Sequence, residues 1–219
     1  KFRAYFLTHP MSVKTSLKII HLLVPEPNLA QLESHMPQSG FEYVTGGILL
    51  NGSIKKVKVK YRGDTHYRWA WDKKSIRIKT SKSYLLDNLR SINLISPRTA
   101  EQLNNFLSYR LAQNMGLLTP KTDLVRLYIN GQDKGVYILV EQVKELMLRN
   151  NQLMPGDIYR GEIVGKDQFR HSGVANLFDS PFVWDKVATN NHYADDSKLP
   201  LETLLELVNR SDEYQSQVR

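Results

Sequence analysis

Two short runs in this chain carry cations at every second position. In Lys56-Val57-Lys58-Val59-Lys60-Tyr61-Arg62 the basic residues alternate with Val57, Val59 and Tyr61; in Ser75-Ile76-Arg77-Ile78-Lys79, preceded by Lys74, they alternate with Ile76 and Ile78. Successive side chains of a strand point to opposite faces, so each run presents one basic and one apolar face. The chemistry such a face offers is neutralisation of phosphate charge. Arg62, Lys74, Arg77 and Lys79 are therefore candidate phosphate ligands, and Gly63 lets backbone approach an anion without a side chain in the way. A plainer reading stands beside it, in which Lys56, Lys58 and Lys60 form a solvated face guarding a sheet edge. Trp69 and Trp71, in the loop between the runs, either bracket a ligand or fold onto the sheet.

The composition narrows the chemistry further. There are no cysteines among the 219 residues, which removes disulfides, thiolate metal sites and cysteine nucleophiles. The histidines His9, His21, His35, His66, His171 and His192 are scattered without metal-site spacing. Asp185, Asp195, Asp196 and Asp212 are each able to ligate Mg²⁺, but they sit in a loosely patterned region and none is assigned. A formal charge of +8 and a pI near 9.5 favour an anionic partner. No apolar run reaches the length of a membrane-spanning helix.

The elements that must position these residues follow from periodicity and turn chemistry. A strand is expected over 16–24, then a short helix in which Asn28 and Gln31 make a capping box. Asn51-Gly52 between two strand-like runs predicts a hairpin over 43–61, and Asn130-Gly131 a second one ending in the apolar run 136–140. Between them lie the strand 75–79 and a helix that begins with a Thr99–Gln102 capping box, carries Leu103, Phe106, Leu107 and Leu111 on one stripe, and stops at Gly116. A short helix follows Glu141-Gln142-Val143, a strand is possible at 157–160, and 201–208 is helical.

The strings Lys58-Val-Lys-Tyr-Arg62-Gly63, Asp72-Lys73-Lys74-Ser75-Ile76-Arg77-Ile78-Lys79, Ala100 to Gly116 with Pro120, and Leu127-Tyr-Ile-Asn-Gly-Gln-Asp-Lys-Gly-Val-Tyr-Ile-Leu-Val-Glu-Gln142 together resemble the spore coat protein H-like (CotH) kinase family over roughly residues 55 to 160. Two departures stand out: Asp64-Thr65-His66 follows Arg62-Gly63 where serines are usual, and KKSI replaces KKSY. The resemblance implies an α+β fold: a protein-kinase-like small lobe, an antiparallel sheet with one main helix, followed by the start of a helical large lobe. Residues 1–140 would be the nucleotide-binding region and 141–219 a hinge and partial large lobe. It implies an atypical protein kinase that uses ATP and Mg²⁺ to phosphorylate serine or threonine on a protein partner, in a spore-coat, envelope or secreted setting. By kinase analogy Lys79 would hold the α/β-phosphates, with Lys74 and Arg77 as close alternatives. Glu101 would pair with that lysine or simply cap its helix, and Glu141 and Gln142 would form the hinge that reads adenine or merely start a polar helix. The catalytic base is not assigned; the string carrying it is expected beyond Arg219. The alternative is a module of the same fold that binds a polyanion or a cell surface without turnover. A nucleic-acid partner is the weaker expectation, since no RNP-like string accompanies the basic ladder.

Overall fold

Asn51 and Gly52 adopt φ of 49° and 74°, and Asn130 and Gly131 φ of 50° and 82°, as tight hairpin turns require. The computed structural model describes residues 15–36, 42–62, 72–97, 103–161, 177–188 and 198–210. The chain divides into two compact units, Lys1–Gln142 and Val143–Arg219.

In the first unit seven strands run β1 (Lys18–Leu23), β2 (Val44–Leu50), β3 (Ser53–Tyr61), β4 (Ile76–Thr80), β5 (Ser91–Ile95), β6 (Thr122–Ile129) and β7 (Gln132–Glu141), with helices α1 (Glu26–Ser34) and α2 (Leu103–Asn114). They close into a barrel in the order β1-β2-β3-β4-β5-β7-β6. The expected open antiparallel sheet of a kinase-like small lobe is therefore corrected. Closure comes from β1, which pairs parallel with β6 from Lys18 opposite Val125 to Leu22 opposite Ile129, and antiparallel with β2 at Leu22–Ile48 and Leu23–Gly47. The short strand β5, absent from the sequence reading, fills the gap between β4 and β7.

Alternation makes the barrel interior apolar. Val57, Val59, Ile76, Ile78, Ile92, Leu94, Leu127, Tyr137 and Leu139 all point inward and are buried, each worth about 1.5–3 kcal/mol relative to exposure. Gly46 sits where β2 bends against β1: a Cβ there would lie 3.0 Å from both Leu23 O and Val59 Cγ2, so a side chain would overpack the corner. The helix α1 starts behind Pro25, with no side-chain cap, rather than at an Asn28 capping box, and it delivers Leu32 to the core. Asn28 instead donates its side-chain amide to Thr45 O at 2.7 Å. The stripe on α2 does form a helical face, but it lies outward: Leu107 and Leu111 are 59% and 62% exposed. The expected cap of that helix, Thr99–Gln102, lies outside the described residues.

Asn130 does more than tolerate its turn. Its side chain donates to Val24 O at 2.7 Å and accepts from Val24 N at 2.8 Å, while its backbone N–H donates to Leu22 O at 2.9 Å. The β6–β7 turn is thus bolted to the end of β1, at the join that closes the barrel. Asn130→Gly keeps the turn conformation and loses both side-chain bonds; we expect a loss of about 2 kcal/mol in urea unfolding. Asn130→Ala, which adds a left-handed backbone without compensation, should cost roughly 1 kcal/mol more. Equal stabilities for wild type and Asn130→Gly would remove the bolt.

The second unit is not the helical lobe expected. It contains α3 (Glu145–Asn150), a two-stranded antiparallel sheet of β8 (Ile158–Gly161) and β9 (Trp184–Ala188), and α4 (Leu199–Asn209), which buries Leu201 and Leu205. Its centre holds a buried ion pair between Lys186 and Asp157 at 3.2 Å, and Trp184 Nε1 donates to Leu177 O at 2.7 Å. Among the described residues no helix is long and apolar enough to cross a membrane.

Candidate functional site

The first unit has a cavity of about 540 Å³, within the size range of small-molecule sites. It is lined by one side of α1, the end of β3, the approach to β4 and the β6–β7 hairpin. Inward parity brings Tyr61, Ile76 and Tyr137 to it, and the hairpin turn adds Asn130, Gln132, Asp133 and Lys134. The segment entering β4 contributes Asp72, Lys73 and Lys74, and α1 contributes Glu26, Leu29 and Glu33.

Lys73 is the most constrained cation of the group. Its Nζ donates to Val136 O at 2.8 Å and lies 4.7 Å from the centroid of the Tyr137 ring. Burial pushes its pKa below the ordinary lysine value, with the nearby Asp133 charge opposing the shift. An ammonium has three donors, and only one is used by the carbonyl. The Tyr137 hydroxyl donates to Lys74 O at 3.2 Å, so the same residue meets the Lys73 ammonium and anchors the Lys74 backbone. The acids are unequally engaged. Glu33 accepts from the Tyr61 hydroxyl at 2.5 Å, and burial together with that carboxylate pushes the Tyr61 pKa well up. Asp133 is gripped by Arg126 through Nε at 3.0 Å and Nη2 at 2.5 Å and accepts from Gly135 N–H, which holds its carboxyl below the usual range.

Burial raises the Tyr137 pKa from 10.0 to about 12. A phenol whose folded-state pKa is raised adds stability that is fully present below its unfolded pKa and lost as the pH rises through the folded value. Stability should therefore fall between about pH 10 and pH 12 as Tyr137 ionises. Urea unfolding followed alongside tyrosinate absorbance tests this: Tyr137→Phe should flatten the decline, and an unchanged slope would exclude Tyr137 from it.

The structure separates the residues expected to act together. Lys74 reaches the cavity. Arg77 and Lys79 have the opposite parity and stand on the outer wall, where Arg77 Nε donates to Asn93 Oδ1 at 2.8 Å and Lys79 is exposed. Arg62 follows β3, its backbone N–H donating to Ser75 O at 2.8 Å. Glu141 is buried and accepts from Lys121 N–H through Oε2 at 3.1 Å, while its own N–H donates to Lys121 O, so it ties the end of β7 to the approach to β6. Gln142 Oε1 accepts from Asn93 Nδ2 at 3.1 Å, extending the Arg77–Asn93 link along the outer wall. Neither Glu141 nor Gln142 lines the cavity. Gly63, Glu101, Trp69 and Trp71 lie outside the described residues.

Sequence reasoning missed Lys73, Tyr61 and Tyr137 as site residues, although one signal was available. Lys74 shares parity with Ile76 and Ile78, which marks it as inward-facing, whereas Arg77 and Lys79 do not. It also missed that Asp185 and Asn190 have D-x-x-x-x-N spacing. Asp185 pairs with Arg160 Nη2 at 3.2 Å and its side chain is largely exposed, while Asn190 lies outside the described residues. Among the described residues no three of His, Asp and Glu converge as a metal-binding group.

Inner spore coat protein H of Bacillus subtilis (strain 168) is 26% identical over 150 residues, an alignment that covers 68% of this chain and 40% of that protein. The chain thus spans less than half the length of that relative. The family model described as CotH kinase protein matches residues 59–219, from the end of β3 onward. That match covers most of the chain, which belongs to the CotH kinase protein family.

Proposed function

We propose that this chain carries the nucleotide-phosphate site of an ATP-dependent phosphotransferase that acts on serine or threonine of a protein partner in the spore coat. The observation that carries this reading is the pair Lys73 and Lys74 lining a nucleotide-sized cavity, the Lys73 ammonium over the Tyr137 ring and the Lys74 backbone bonded to its hydroxyl, in a chain of a family described as kinases. Phosphoryl transfer requires that charge on the phosphates be neutralised and the acceptor held in line. Lys73 and Lys74 would meet the phosphate oxygens, and the Gln132 side-chain amide would donate a further hydrogen bond from the hairpin rim. Magnesium that arrives on a nucleotide keeps its phosphate and water ligands and needs only one or two carboxylates. Asp72 on the same rim would supply such a carboxylate, Asp133 being already held by Arg126, and charge on the transferred phosphoryl group would be neutralised by the bound ion. The acceptor hydroxyl would attack the γ-phosphorus and give up its proton to a base as the bond to the β-phosphate oxygen breaks, yielding the phosphoester and releasing ADP.

The test is calorimetric titration of ATP with Mg²⁺ into the chain and into its Lys73→Ala, Lys74→Ala and Lys79→Ala variants, with phosphate transfer then assayed on the full-length protein. Saturable binding that depends on Lys73 and Lys74 supports the reading. No binding to the wild-type protein would remove it.

A further inference from the structure

The outer wall of the barrel carries a second cationic feature, separate from the cavity and independent of its assignment. Lys56, Lys58 and Lys60 point outward from β3, and Arg77 and Lys79 outward from β4. The register sets Lys58 directly opposite Lys79 and Lys60 directly opposite Arg77. Like charges opposed across a strand pair destabilise it. The flanking ladder partners of Lys58, Lys56, Lys79 and Arg77 on β2 and β5 are Thr45, Gly47, Ser91 and Asn93, none of them a carboxylate. Edge protection does not account for the pattern either, because β3 lies between β2 and β4 in a closed barrel and has no edge to guard. Arg77 is tied to Asn93 and Lys60 lies over the Tyr43 ring, while the opposed pair Lys58–Lys79 sets two exposed like charges side by side.

We infer that this wall is a docking face for an extended protein segment bearing carboxylates at alternate positions. Same-face residues of a strand repeat every ~6.8 Å, and neighbouring strands lie ~4.8 Å apart. Three lysines along β3, with two cations beside them on β4, therefore form a two-row grid whose long period equals that of acidic side chains on one face of an extended peptide. Docking proceeds through side chains alone, since the barrel offers no free backbone edge at β3. A single-stranded nucleic acid would need exposed rings for base stacking. Among the described residues, Tyr43 beside this grid has the Lys60 ammonium 5.0 Å over its ring, and Tyr84 is tied through its hydroxyl to Lys56 O.

Fluorescence anisotropy with the 219-residue chain tests the inference, using a labelled peptide of alternating glutamate and serine, a peptide of the same composition with its glutamates in one block, and an oligothymidylate of similar length. The alternating peptide should bind at least about threefold more tightly than the blocked one, and should weaken at least about tenfold between low and physiological salt. Lys58→Glu and Lys79→Glu should each weaken it about tenfold while leaving Tm unchanged or higher, because each replaces an opposed like-charge pair with an attractive one. That combination, firmer fold and poorer binding, separates a docking role from a structural one. Equal affinity for the two peptides overturns the inference, as does unaltered binding by both variants. Tighter binding of the oligothymidylate, lost in the same variants, would make the wall a nucleic-acid surface instead.

Discussion

Lys73→Ala is expected to weaken binding of ATP with Mg²⁺ by about ten- to a hundredfold, whereas Lys79→Ala leaves it unchanged. A hydrogen bond to a charged group is worth roughly 1.5–3 kcal/mol, and each 1.4 kcal/mol is about a factor of ten in affinity. The upper part of that range applies because Lys73 is already partly desolvated and held against Tyr137, so little ordering remains to be done when an anion arrives. Lys79 is one barrel wall away from the cavity, exposed on the outside of β4. The contrast between the two is more informative than either alone. A loss with Lys79→Ala and none with Lys73→Ala would move the phosphates to the outer wall and discard the cavity.

Tyr137→Ala should lower the stability of the chain by about 3–5 kcal/mol, the usual cost of emptying a buried aromatic position. The ring is 1% exposed and belongs to the main core cluster; beyond filling volume, it faces Lys73 and reaches Lys74 O. Such a loss is a large share of the roughly 5–15 kcal/mol that holds a typical domain folded. Tyr137→Phe retains the packing and the ring face, so it should cost only about 1 kcal/mol for the lost hydroxyl bond. Urea denaturation of both variants measures the difference. Were the alanine variant within 1 kcal/mol of the phenylalanine one, the ring would not be a packed part of the barrel.

Local patterning recovered what local physics decides. The two Asn-Gly turns, the alternation of Val57 and Val59 with the outward lysines, and the helical stretch after Leu199 all depend on residues close in sequence. The barrel depends on pairing between 18–22 and 125–129, and nothing in either run announces its partner. The strand β5 was missed because only Ile92 and Leu94 face inward across a five-residue span, too short a pattern to stand out. The candidate site was legible only in part: kinase analogy favoured Lys79 at the end of its strand, while parity alone would have chosen Lys74, which reaches the cavity. Asn93 could not have been anticipated: its side chain gains meaning only when Arg77 arrives from β4 and Gln142 from just beyond β7.

The family match starts at residue 59, whereas β1, α1 and β2 all precede it. A recombinant fragment trimmed to that boundary would therefore lose two staves of the barrel and most of a third. The flank of β6 that β1 covers would be left as bare backbone donors and acceptors, an invitation to intermolecular association. The N-terminal quarter is part of the vessel, not an ornament on it, and expression boundaries drawn from family resemblance alone would cut through its wall.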